Sequence, residues 1–163
     1  MSPSAAELGS VIQLPALPTA PSMVRAFGAA ALRAWQIGTE ALDTTLLVLS
    51  ELATNAVKET GPAIRPEGLL PHEPLEVVRV RIRILRSSAV VEVWDASTVA
   101  PSVNPGALEA DSEVGRGLFL VGELAEQWGY YYPAVGGKVV WAQIATIPTT
   151  ALAQRDARPK PRI

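Results

Sequence analysis

The chain has no cysteine among its 163 residues and a single histidine, His72. The first absence excludes disulfides, thiolate metal sites and a cysteine nucleophile, and is compatible with a reducing cytoplasm, the expected location. The second argues against a histidine-dependent zinc centre or a Ser-His triad, because His72 sits in Pro71-His72-Glu73-Pro74 and reads as an exposed loop residue. Long apolar runs are also lacking, and none approaches the roughly 20 residues that span a bilayer. Residues 1–10 carry no basic residue and no apolar core of the signal-peptide kind. No sign of charge dominates: a net charge of -2 gives no support for nucleic-acid or membrane binding. What is present is 48% hydrophobic and 18% charged residues, the balance of a compact globular chain long enough for one domain with a real core.

The pattern along the chain predicts an α/β two-layer sandwich with helices on one face of a mixed, mainly antiparallel sheet and the other face solvated. Residues 1–10 read as a loose terminus, 11–147 as the domain and 148–163 as a disordered, Pro-rich, mildly basic tail. A short strand is expected over 11–14. A helix is expected over 21–37, with Pro21 in its first turn, Val24, Phe27, Ala31 and Trp35 at helical spacing, and Gly38 ending it. Thr39 is the expected N-cap of a second helix that stops at Gly61-Pro62. Residues 61–74 hold four prolines and two glycines and read as a loop. Residues 75–85 alternate, with Val78, Val80, Ile82 and Ile84 inward and Arg79, Arg81 and Arg83 on a solvated face. A turn at Arg86-Ser87-Ser88 joins them to a strand over 89–94. A long irregular loop over 95–114, a short helix over 115–126 and strands over 128–132 and 138–147 complete the domain, with Gly136-Gly137-Lys138 as a hairpin turn.

Within the second helix, Glu51 and Asn55 stand one turn apart and project together. Leu42, Leu46, Leu49, Ala53 and Ala56 form the opposite, core-facing stripe. Two polar groups side by side on a helix with apolar residues nearly all round point either to a pocket holding a ligand, ion or water, or to a partly exposed edge. A carboxylate there can act as general base and a carboxamide oxygen can ligate Mg2+. Asp95 ends a strand, where it could open a turn or accept a hydrogen bond from an exocyclic amine. Gly115-Arg116-Gly117-Leu118 opens a helix, a setting in which backbone amides approach phosphate and Arg116 could add a charged contact. No Gly-Lys-Ser/Thr follows, so this is not a P-loop.

The order of these segments resembles that of the GHKL ATPases, the superfamily of gyrase, histidine kinases and mismatch-repair ATPases. Glu51-Leu52-Ala53-Thr54-Asn55-Ala56-Val57 is similar to the N box of that superfamily, and Trp94-Asp95-Ala96-Ser97 to its G1 box. Gly115-Arg116-Gly117-Leu118-Phe119-Leu120-Val121 is similar to its G2 box, and Gly137-Lys138-Val139-Val140-Trp141-Ala142 to the closing strand. Residues 21–35 resemble the first helix of the stand-alone branch that contains the bacterial anti-sigma-factor serine kinases. The likeness covers residues 11–146.

The resemblance implies the Bergerat ATP-binding fold with ATP and Mg2+ as cofactors. Asn55 would be the Mg2+ ligand, Glu51 the base and Asp95 the partner of the adenine amine. Gly115, Arg116, Gly117 and Leu118 would lie at the phosphates, and residues 97–114 would form a lid. It also implies a sigma factor and a phosphorylatable anti-anti-sigma protein as partners, transfer of the γ-phosphoryl group to Ser or Thr, and homodimers as in relatives of this architecture. Two departures stand out. Neither G1 glycine is present in Asp95-Ala96-Ser97-Thr98-Val99, and Lys58-Glu59 closes the N box. Two alternatives remain open, a catalytically degenerate module acting by protein contact alone and a self-contained ATPase.

Overall fold

Two periodicities in the sequence, near 2 and near 3.6, separate the strands from the helices of the computed structural model, which describes residues 8–61, 74–103 and 116–147. The elements run β1 (Leu8–Pro15), α1 (Ala20–Ala34), α2 (Thr39–Thr60), β2 (Val77–Leu85), β3 (Ser88–Asp95), α3 (Arg116–Leu124), β4 (Gln127–Tyr131) and β5 (Lys138–Ala145). The five strands form one sheet in the order β1-β2-β3-β5-β4. Among the described residues every pairing is antiparallel, where a mixed, mainly antiparallel sheet was expected.

Alternation sends one side of the sheet inward. Val78, Val80 and Ile82 of β2, Val91 and Val93 of β3, and Val140, Ala142 and Ile144 of β5 are buried. They join Val24 and Leu32 of α1, Val48, Leu49, Leu52 and Ala56 of α2, and Leu118 and Val121 of α3 in a single core. Each such side chain contributes about 1.5–3 kcal/mol by leaving water. The opposite side carries the arginines and is solvated only in part, since Val90 and Val139 on it are buried. Arg79 and Arg81 are exposed, Arg79 lies 5.5 Å over the Trp94 ring, and Arg83 reaches Glu92 at 3.2 Å.

Several boundaries differ from those read in the sequence. β1 begins at Leu8 rather than Val11, because the ladder with β2 starts with Leu8 opposite Ile84. α1 ends at Ala34, not at Gly38. Gln36 turns left-handed (φ 58°) with its N–H donating to Arg33 O, while the Ile37 N–H donates to Leu32 O, and this pair of bonds closes the helix. Gly38, in extended conformation, is the N-cap of α2, and Thr39 is its first helical residue. The β2–β3 turn is tighter than expected, with Leu85 already opposite Ser88.

α2 is the central helix, packing on α1, α3 and three strands. At 1.5 Å per residue its 22 residues run about 33 Å. Its buried face is broader than the expected stripe, since Thr45, Val48 and Leu52 are buried with Leu42, Leu49, Ala53 and Ala56. The Thr45 hydroxyl donates to Ala41 O at 2.6 Å and so needs no other partner inside the core. No helix among the described residues is long and apolar enough to cross a membrane. Residues 1–7, His72 and the tail 148–163 lie outside the described residues.

Where α1 crosses α2, Gly28 faces Leu49 and Leu46, and a Cβ on it would stand 2.8 Å from Leu49 Cδ1 and 3.0 Å from Leu46 Cδ2. Gly28→Ala should therefore overpack the crossing at about 1–3 kcal/mol, partly offset by about 1 kcal/mol of helix propensity. The expected outcome is a net loss of about 1 kcal/mol in urea unfolding, and an unchanged or raised midpoint would contradict this packing.

Candidate nucleotide site

Glu51, Asn55 and Glu59 recur at intervals of four along α2 and so share one edge of that helix. That edge overlooks a cavity of about 210 Å³ lined by Leu52, Asn55, Ala56, Lys58 and Glu59 of α2, Val93 and Asp95 of β3, Leu118 of α3, and Lys138 and Val140 of β5, with Pro101 and Ser102 from the loop after β3. Six of these residues are apolar and six polar, four of the polar ones charged, so apolar walls meet a charged floor.

Strand phase places the charges on the floor. Asp95 follows Val93 by two residues and Lys138 precedes Val140 by two, so both side chains point to the core side. Antiparallel pairing sets them directly opposite each other. Lys138 Nζ lies 2.9 Å from Asp95 Oδ1 and 2.8 Å from Glu59 Oε2, and the lysine side chain is 2% exposed. An ammonium this buried persists only when paired, because desolvating it alone costs several kcal/mol. Asp95 also opens the turn that follows, since the Ser97 N–H donates to Oδ1 at 2.9 Å. The turn-opening reading of Asp95 is thus the one the structure shows. The two hydrogen bonds fall on Oδ1, and Oδ2 receives none from the described residues.

Burial raises the Asp95 carboxyl above its ordinary value of 3.8; the Lys138 hydrogen bond and charge and the Ser97 N–H pull it down, and Glu59 pushes it up again. A raised pKa in the folded state means that Asp95 favours folding most below pH 3.8 and that this contribution fades as pH climbs through the folded value.

Gly117, one residue into α3, brings that helix against the polar edge of α2. A Cβ there would collide with Glu51 Oε2 and lie 3.7 Å from Asn55 Nδ2. Glu51 and Asn55 are each partly buried, Leu118 is buried and Arg116 exposed. Of the sequence-derived set, Asn55, Asp95 and Leu118 line the cavity, and Glu51 and Gly117 meet beside Asn55 without lining it, whereas Gly115 and the lid residues 104–114 lie outside the described residues. The sequence places Lys138 at a turn and the start of the last strand and Glu59 as an acidic residue near the pocket; that the two are partners on the cavity floor is a finding of the structure. The signal for Lys138 was its inward phase two residues before Val140.

Among the described residues no cluster of three His, Cys, Asp or Glu side chains could hold a metal ion. Asn55 fits a different mode, in which Mg2+ takes one protein oxygen and fills its shell with phosphate oxygens and water.

Among the described residues, three helices over an antiparallel sheet, with a polar helix edge facing a cavity at the strand ends, define a two-layer α/β domain with a candidate ligand pocket. The sequence profile of the histidine kinase-like ATPase domain matches residues 14–144, and the chain belongs to this family. No curated protein matches the chain at a significant level.

The Gly136-Gly137 turn seats Lys138. Gly137 has φ 69°, and a Cβ on it would strike the Asp95 carbonyl oxygen and stand 2.9 Å from Trp94 Nε1. Gly137→Ala should lose about 1–3 kcal/mol in chemical unfolding, with a loss under half a kcal/mol counting against this geometry. In a comparison of wild type with Asp95→Asn, the stability difference should shift in favour of wild type as pH falls from 7 toward 4, by about 1.4 kcal/mol for each unit of raised pKa. A difference that is flat with pH would contradict the raised carboxyl.

Proposed function

We propose that this chain binds ATP with Mg2+ in the cavity between α2, β3, β5 and α3, and acts as a protein serine/threonine kinase of the anti-sigma type. It would phosphorylate a small antagonist protein and hold a sigma factor when the antagonist is absent or modified. The observation that carries the reading is convergence. Asn55, the Asp95 carboxylate and the start of α3 ring one apolar cavity, and Glu51 sits a turn from Asn55 against Gly117.

The residues divide the work by position. Asp95 accepts from the exocyclic amine of the base through Oδ2. The apolar walls, Leu52, Val93, Leu118 and Val140, take the faces of the base and exclude water. Asn55 offers its carboxamide oxygen to Mg2+, which when bound spreads the charge of the phosphate oxygens. The first turn of α3 offers backbone N–H groups to the phosphates. Glu51 would take the proton of the attacking serine or threonine hydroxyl as its oxygen bonds to the γ-phosphorus and the bond from that phosphorus to the β–γ bridging oxygen breaks, with ADP as the leaving group.

One observation favours the second reading, a binding module that works by protein contact alone: Asp95 already spends Oδ1 on Lys138 and Ser97. Calorimetric titration with an ATP analogue, with and without Mg2+, separates the two. The expected result is magnesium-dependent binding that Asn55→Ala abolishes while its circular dichroism and melting remain those of wild type. Absence of binding at millimolar nucleotide would establish the degenerate module instead. Glu51→Ala should keep nucleotide affinity and slow phosphoryl transfer to the partner by about a hundredfold or more; an undiminished rate would remove Glu51 from the reaction.

A further inference from the structure

Lys138 is tied into the floor of the cavity more firmly than a structural ion pair at a strand end requires. Its side chain is 2% exposed, it lines the cavity, and its ammonium bridges two carboxylates at 2.8 and 2.9 Å. An ammonium has three N–H donors. Glu59 Oε2 and Asp95 Oδ1 take two, and no described residue takes the third. Beside it, Asp95 Oδ2 is an acceptor that no described residue uses. The floor therefore presents one unspent donor next to one unspent acceptor, held by a cross-strand pair and a helix end.

Adenine carries the complementary pair on one edge, the N6 amine as donor and ring N1 as acceptor. We propose that Lys138 is a base-reading residue, donating its third N–H to N1 of the adenine while Asp95 Oδ2 accepts from N6, with Glu59 positioning the ammonium. This rests on the nucleotide reading above and adds a second contact to it. The pair is polarised in the right sense for a 6-amino purine. At the same ring placement a 6-oxo purine would set an oxygen against the carboxylate and an N1–H against the ammonium. The charges around the group are Asp95 from β3 and Lys58 and Glu59 from α2, so with Lys138 itself the floor holds two cations and two anions. The arrangement also gives Glu59 a purpose, since at four residues past Asn55 it is the α2 side chain that reaches the floor from the helix side.

The test pairs an edit of the ligand with an edit of the residue. ATP and 1-deaza-ATP, in which a C–H replaces N1 and the amine is kept, are titrated into wild type and Lys138→Met. Wild type should bind the deaza analogue about tenfold more weakly than ATP or worse. Lys138→Met should bind the two within about twofold of each other. Should Lys138→Met melt below the titration temperature, Lys138→Gln, which keeps an amide against Asp95 but is too short to hold N1, takes its place with the same expectation. Equal binding of both ligands by wild type would overturn the Lys138 contact and leave nucleotide binding standing. A tenfold preference that survives in the Lys138 variants would assign N1 to another partner and overturn it as well. Failure of wild type to bind either ligand would overturn the nucleotide reading itself, and this inference with it.

Discussion

A buried ammonium between two carboxylates holds the working end of this domain together. Lys138 starts β5, Asp95 ends β3 and Glu59 closes α2, so the three charges join the sheet to the last turn of the central helix at one point. Removing the ammonium would leave Asp95 desolvated and unpaired, the expensive half of a broken buried pair. Because antiparallel register alone puts Asp95 opposite Lys138, the whole β3–β5 ladder is committed once this pair forms. The cavity is what remains between that floor and the polar edge of α2. Strand register and cavity floor therefore meet in the same contact.

The two missing glycines of the G1 stretch fit the same picture. Asp95 is fixed by a side chain across the ladder and by the Ser97 N–H in a turn, rather than by a glycine-rich backbone folded around it. Ser97 continues the turn by accepting from the Val99 N–H at 3.1 Å. The glycine requirement has moved to the partner strand, where Gly137, at φ 69°, packs on the Asp95 carbonyl and Trp94 Nε1 donates to Gly136 O at 2.9 Å. Backbone freedom is needed at the β4–β5 turn because there the chain must reverse and pass against β3 with no room for a Cβ.

α2 reconciles two demands that usually fall on separate elements. Its broad apolar face supplies much of the core, while Glu51, Asn55 and Glu59 line up along a single edge. The edge stays partly buried because α3 comes down on it at Gly117, leaving Glu51 close to a helix start instead of in open water. A carboxylate near a helix N-terminus is electrostatically favoured, so the contact is stable without a ligand and is also the place where phosphate would compete for the same backbone groups.

The sequence by itself determined the element types, the inward strand face and the family: period 2 in 78–84 and period 3.6 in 42–56 are local properties that steric and hydrophobic forces turn into a strand and a helix, though the buried face of α2 is broader than its stripe. It also brought out Glu51, Asn55, Asp95 and Gly117, because spacing on a helix or at a strand end is written in consecutive residues. Helix ends were less legible. α1 stops at a left-handed Gln36 and Gly38 caps α2, outcomes set by how the chain must turn back to pack rather than by the residues' own preferences. Only the tertiary structure decided that Lys138 is a floor residue and Glu59 its anchor. Their partnership spans 79 positions and exists only once β5 has paired with β3 under the end of α2, and no local pattern records a contact created by closing so long a loop.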